Sequence, residues 1–164
     1  MSMAPRIRLL ALPLLLGACA TAPVLDSSQV DRSLTPALVT AEPDYATDRQ
    51  VLWGGIILGT TNLPDRTLIE MLAYPLDRRE KPQRDEAPLG RFLLEQSGFL
   101  DPAIYTAGRL LSVTGSVVRT ETGKVGESEQ ACPVVSAQAL HLWPEDSLSE
   151  DPTLFFGIGV GFGF

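Results

Sequence analysis

The run Leu16-Gly17-Ala18-Cys19 constrains this chain more than any other feature, because it closes a leader that is expected to be removed before the rest folds. Arg6 and Arg8 supply a cationic start, and Leu9 to Leu16 supply an apolar stretch of eight residues. A bilayer-spanning helix takes ~20 residues, and Pro13 further opposes an anchor helix. Small residues before the scissile bond let a peptidase reach the backbone. The Cys19 thiol can take a thioether-linked diacylglycerol. The expectation is cleavage before Cys19 and acylation of the new terminus with palmitate-like chains. Each buried methylene contributes ~0.8 kcal/mol, and a stable anchor needs more than one chain, as a triacylated cysteine has. Ala20 rather than Asp follows, which in enterobacterial-type sorting favours the outer membrane, so a domain lipid-anchored there is expected.

Removing 18 of 164 residues leaves 146, enough for one ordinary domain and a tether. Arg6 and Arg8 leave with the leader, so 13 basic residues become 11 against 20 acidic ones, a net charge near −9. Such a domain lacks the positive footprint that phosphate binding requires, so nucleic acid is not an expected partner. Anionic lipid should repel it too, which leaves acyl chains or apolar side chains for membrane contact. With Cys19 committed to lipid, Cys132 has no intramolecular partner, and its neighbours Ala131, Pro133, Val134 and Val135 favour a buried thiol. His141 is the single histidine, and neither Cys-x-x-Cys nor His-Glu-x-x-His spacing occurs. No metal and no cofactor are expected.

The chain divides into a leader (1–18), a lipidated N-terminus and tether (19–48), a β domain (49–144), and an acidic linker with a glycine-alternating tail (145–164). The tether stretch is rich in Ala, Thr, Ser, Pro and Asp without a sustained period, although Leu38 to Thr40 could dock as an extra strand. Val51 to Leu58 is β-branched and apolar, with Gly54-Gly55 expected to mark a bulge or bend. Further strands are expected over Thr67 to Leu76, Gly90 to Ser97, the alternating Leu111 to Val117, and Pro133 to Trp143, with a hairpin tip at Thr122-Gly123-Lys124. Asp77 to Glu86 reads as a solvated loop. Asp101 and Pro102 read as N-cap and first residue of a brief helix that Gly108 ends. Three strands, a short helix and two strands is the order of an oligonucleotide/oligosaccharide-binding (OB) fold, in which the helix plugs the barrel. The expected fold is mainly β: an OB-like barrel, closed or partly open, with one short helix. An open sheet with a capping helix would read much the same.

The stretch from Val51 to Trp143 resembles the Slp family of starvation-inducible outer-membrane lipoproteins. The resemblance rests on Trp53-Gly54-Gly55, Ile69-Glu70, Tyr74-Pro75-Leu76-Asp77, Gly90-Arg91-Phe92, Ser97-Gly98-Phe99-Leu100-Asp101-Pro102 through Tyr105, Gly108-Arg109, Val113-Thr114-Gly115, Pro133-Val134-Val135 and Leu142-Trp143. It implies an outer-membrane lipid anchor, a small β-rich periplasmic domain, and a role in envelope stress or stationary phase without an assigned catalytic activity. Cys132 before Pro133 and the tail depart from the family pattern.

Glu70 lies in an apolar strand, where an unpaired carboxylate is costly and would be a candidate acid or base. The structural alternative is a buried ion pair with Arg91 or Arg109. No second acid, Gly-x-Ser-x-Gly elbow or nucleotide loop stands beside it. A non-catalytic envelope module is therefore favoured over a small envelope hydrolase or glycan-processing enzyme using Glu70. Trp53, Tyr74, Phe92, Phe99, Tyr105 and Trp143 could form a stacking platform, but in so small a domain they read as core. Candidate partners are an envelope protein or a glycan, since sugar stacking needs no positive field. In the tail, Phe156, Ile158, Val160, Phe162 and Phe164 alternate with glycine, so β geometry would put every bulky side chain on one face. That face is expected to dock on membrane or partner, or else to stay disordered.

Overall fold

The computed structural model describes residues 25–125 and 128–145, in which five strands close into one barrel. These are β1 (Gln50–Asn62), β2 (Arg66–Ala73), β3 (Gly90–Ser97), β4 (Leu110–Val125) and β5 (Ser128–Leu142), bonded in the order β1-β2-β3-β5-β4 and back to β1. All neighbours are antiparallel except β3 and β5, which run parallel from Leu93↔Val134 to Glu95↔Ser136. A five-stranded barrel with this crossover has OB topology, and it is closed.

Period-two patterning builds the core. Val51, Trp53 and Ile57 of β1, Ile69, Met71 and Ala73 of β2, Phe92 and Leu94 of β3, and Leu111, Val113 and Val117 of β4 are buried together. Trp53 meets Phe92 edge-on at 5.1 Å, and its indole N–H donates to the Leu34 carbonyl at 2.8 Å. The glycine pair does not form the bulge, which falls between Ile57 and Gly59. A Cβ on Gly55 would instead collide with the Leu72 backbone, and one on Gly54 would crowd Ser112 and Leu76. Glycine is required there because neighbouring segments approach closely.

Three other expectations are corrected. Residues 101–108 form hydrogen-bonded turns, not a helix. The Asp101 carboxylate accepts from Ala103 N–H at 2.9 Å, and its carbonyl accepts from Ile104 and Tyr105. One turn closes, but Gly108 at φ +90° ends the segment before a helix can propagate. Buried Thr67 holds this loop against one barrel end by accepting from Leu100 N–H and donating to the Gly98 carbonyl.

The helical plug comes from residues expected to be tether. α1 (Pro36–Ala41), capped by Thr35, and α2 (Pro43–Ala46) cover the other end, burying Pro36, Val39 and Ala46. The Leu38 to Thr40 region thus docks as helix, not strand. Leu25 and Leu34 are buried as well, so the described domain starts by residue 25 rather than 49. The last hairpin also runs farther than expected. Gly123 pairs with Gln130 and Val125 with Ser128, so pairing continues through 122–124, where the tip was expected.

Candidate functional site

Residues 77–86, expected to be a solvated loop, contain the most constructed polar site among the described residues. Leu76 bridges to Pro82, and the Asp77 carboxylate accepts the N–H groups of Arg79 at 2.7 Å and Lys81 at 2.9 Å. This tip folds over β1 and β4 because Gly54 leaves room for Leu76. Glu80 takes φ +69°, unusual for a residue with a side chain, and this turns its carboxylate inward, 2% exposed. Its Oε2 accepts the Leu25 N–H at 2.9 Å, and Oε1 lies 3.4 Å from the Arg32 guanidinium. The Glu80 carbonyl accepts from the Ser112 hydroxyl at 2.6 Å, and Ser112 Oγ accepts from the Trp143 indole at 2.9 Å. Ser112 and Thr114 alternate with the core-facing Leu111 and Val113, which by period two places them on the outer face of β4. Both are nevertheless buried, because the hairpin and the N-terminal segment cover β4.

Glu70 stands elsewhere. Arg91 Nη1 donates to its Oε1 at 2.6 Å, but the pair lies on the outer face with side chains 35% and 40% exposed, so the expected burial is wrong. Residue 70 alternates outward from buried Ile69 and Met71. Arg109 takes no part. It bonds the carbonyls of Trp143 at 2.8 Å and Ile104 at 3.3 Å, and it pairs with Glu145. Its function is to pin the 101–108 loop to the end of β5. The outer face of β2, β3 and β4 continues with Glu95, which pairs with Arg119 at 2.7 Å and lies 3.6 Å from Arg66. The cations on the face where OB folds bind oligonucleotides are thus matched to acids.

Cys132 is a buried free thiol; burial pushes its pKa up, with Glu70's charge adding to the effect. Burial also lowers the pKa of His141, whose ring meets Trp143 edge-on. Of the candidate platform rings, Trp53, Phe92 and Trp143 are core, Tyr105 packs against it, and Phe99 is exposed. A cleft of about 380 Å³ runs between the N-terminal segment and β4–β5, lined by neutral polar groups such as Ser28, Gln29, Gln50, Thr114 and Gln138, with Asp26 the acid on its wall. Cys19 and the tail lie outside the described residues.

A family profile described as Outer membrane lipoprotein Slp family matches residues 16–156, through the barrel and the Glu80 hairpin. The chain belongs to this family. Within it, the chain is 28% identical to Outer membrane protein Slp of Escherichia coli K12 over 87% of this chain and 77% of that one. Uncharacterized lipoprotein YeaY of the same organism is 25% identical over 92% and 81% of the two chains. An uncharacterized protein of Haemophilus influenzae is 32% identical over 64% and 57%. As a Slp-family outer-membrane lipoprotein, the chain has an OB-like barrel in which Glu80, the most protected carboxylate among the described residues, holds the chain's own N-terminal segment.

Proposed function

We propose that this Slp-family protein is a non-catalytic envelope module, held on the periplasmic face of the outer membrane by acyl chains on Cys19, with a role in envelope stress or structure. The observation that carries the reading is the use made of Glu80. The most buried carboxylate of the described residues binds the segment that begins six residues after Cys19. That is a mooring role, which ties the start of the described domain, close behind the proposed anchor, to the barrel. Glu70, the sequence's candidate for catalysis, is half-buried on the outer face and bonded to Arg91, whereas a catalytic carboxylate needs a protected cleft in which to meet substrate. The neutral polar cleft supports an uncharged glycan or an envelope protein as the partner, since its amides and hydroxyls suit hydroxylated ligands.

The test is Cys19→Ser in the native host, read by incorporation of an alkyne-tagged palmitate analogue and by membrane fractionation. The variant is expected to incorporate no label and to leave the outer-membrane fraction as soluble or uncleaved protein. Equal outer-membrane recovery of the two forms would refute the lipid anchor.

A further inference from the structure

We infer that the tip of the Leu76–Pro82 hairpin, carrying Arg78 and Arg79, is the membrane-facing edge of the domain and rests on anionic phospholipid headgroups of the leaflet that holds its own acyl chains. This rests on the proposed acylation of Cys19.

Chain length sets the geometry. The Leu25 N–H is bound to Glu80 at 2.9 Å, and Cys19 lies six residues before it. Six residues span at most ~20 Å fully extended. A domain of this length has a radius of gyration of about 14 Å, or about 35 Å across. The leash is shorter than the domain is wide, so the edge around Glu80 must stay within ~20 Å of the membrane and the opposite edge cannot reach it.

The charge at that edge fits the surface it meets. Arg78 and Arg79 are exposed, and Arg32, also exposed, lies beside Glu80. Of the acids of the tip, Glu80 points inward to Leu25 and Arg32, and Asp77 is engaged by the backbone N–H groups of Arg79 and Lys81. Asp85 and Glu86 follow beyond the Leu76–Pro82 bridge. A mature chain of net charge near −9 therefore presents a basic point where its leash emerges. Each basic side chain at an anionic bilayer strengthens contact about fivefold, and a basic patch beside an acyl anchor is a common two-signal arrangement. The acidic remainder is repelled by the same surface, which favours one orientation. The overall charge alone would have predicted repulsion everywhere.

The mature lipoprotein, purified with its acyl chains, would be reconstituted into phosphatidylcholine vesicles with or without phosphatidylglycerol. Vesicle flotation reports anchoring. Arginine modification by phenylglyoxal, read by mass spectrometry, reports contact, with Arg66 at the far end of β2 as reference. Arg78 and Arg79 are expected to react about fivefold more slowly, relative to Arg66, when phosphatidylglycerol is present. A flexible Gly-Ser insert between Ala20 and Thr21, which leaves Glu80 and Leu25 intact, should remove that protection without reducing flotation. Flotation with unchanged Arg78 and Arg79 reactivity in both lipids would overturn this inference and leave the anchor standing. Failure to float would overturn the anchor and this inference with it.

Discussion

Glu80 accepts the backbone N–H of Leu25 at 2.9 Å across 55 residues of sequence, joining the start of the described domain to a hairpin between β2 and β3. The bond requires a left-handed Glu80 and an Asp77 that ties the tip into shape. Through the Glu80 carbonyl and Ser112, the same residue reaches Trp143 at the end of β5.

Replacing Glu80 should therefore release the N-terminal segment before it disturbs the barrel. Glu80→Ala is expected to cost about 1–3 kcal/mol, because it strands the Leu25 N–H and keeps a side chain in a left-handed backbone. Hydrogen exchange should rise across residues 25–33 while Ile69, Met71 and Phe92 stay protected. Uniform loss of protection would show that the segment and the barrel are one cooperative unit.

Gly55→Ala should be the most damaging small substitution in β1. An added Cβ would sit 2.6 Å from the Leu72 carbonyl carbon and closer still to its oxygen, both backbone atoms that cannot swing aside. The expected cost is about 3 kcal/mol or more, read as a lower urea midpoint. Gly59→Ala, where an added Cβ meets nothing within 4 Å, is the control and should lie within about 1 kcal/mol of the parent protein.

Asp31 should titrate at about 2, below its ordinary 3.8, because the Ser33 hydroxyl and then the Arg49 guanidinium bond its charged form. A carboxyl depressed in the folded state contributes stability that is fully present above 3.8 and lost as pH falls through about 2. Carbon-detected NMR of the side-chain carboxyl should place the midpoint there. Asp31→Asn should flatten the pH dependence of stability in that window, and an Asp31 midpoint near 3.8 would show that the contacts do not hold in solution.

The barrel was largely legible because its information is local. Alternation at Leu111, Val113 and Val117 marks an inward face whatever the partner, and each of the five strands expected within the β domain overlaps an observed one. Boundaries were less legible. Thr122-Gly123-Lys124 has turn chemistry, yet pairing with β5 continues through it, since cross-strand bonds outweigh local preference. Asp101-Pro102 has helix-start chemistry, yet a single turn fills the gap at the barrel end.

By itself the sequence determined the succession of strands, their core-facing residues and the acidic balance, because each follows from covalent order, periodicity or composition. The tertiary structure alone decided which carboxylate is buried. Glu70 sits in an apolar strand and Glu80 in a charged run, so hydropathy points to the wrong one. Ladder alternation turns Glu70 out toward Arg91, while a left-handed backbone and the bare surface of Gly54 fold Glu80 in toward Leu25. Burial there depends on what a distant segment covers, and no window of neighbouring residues contains that information.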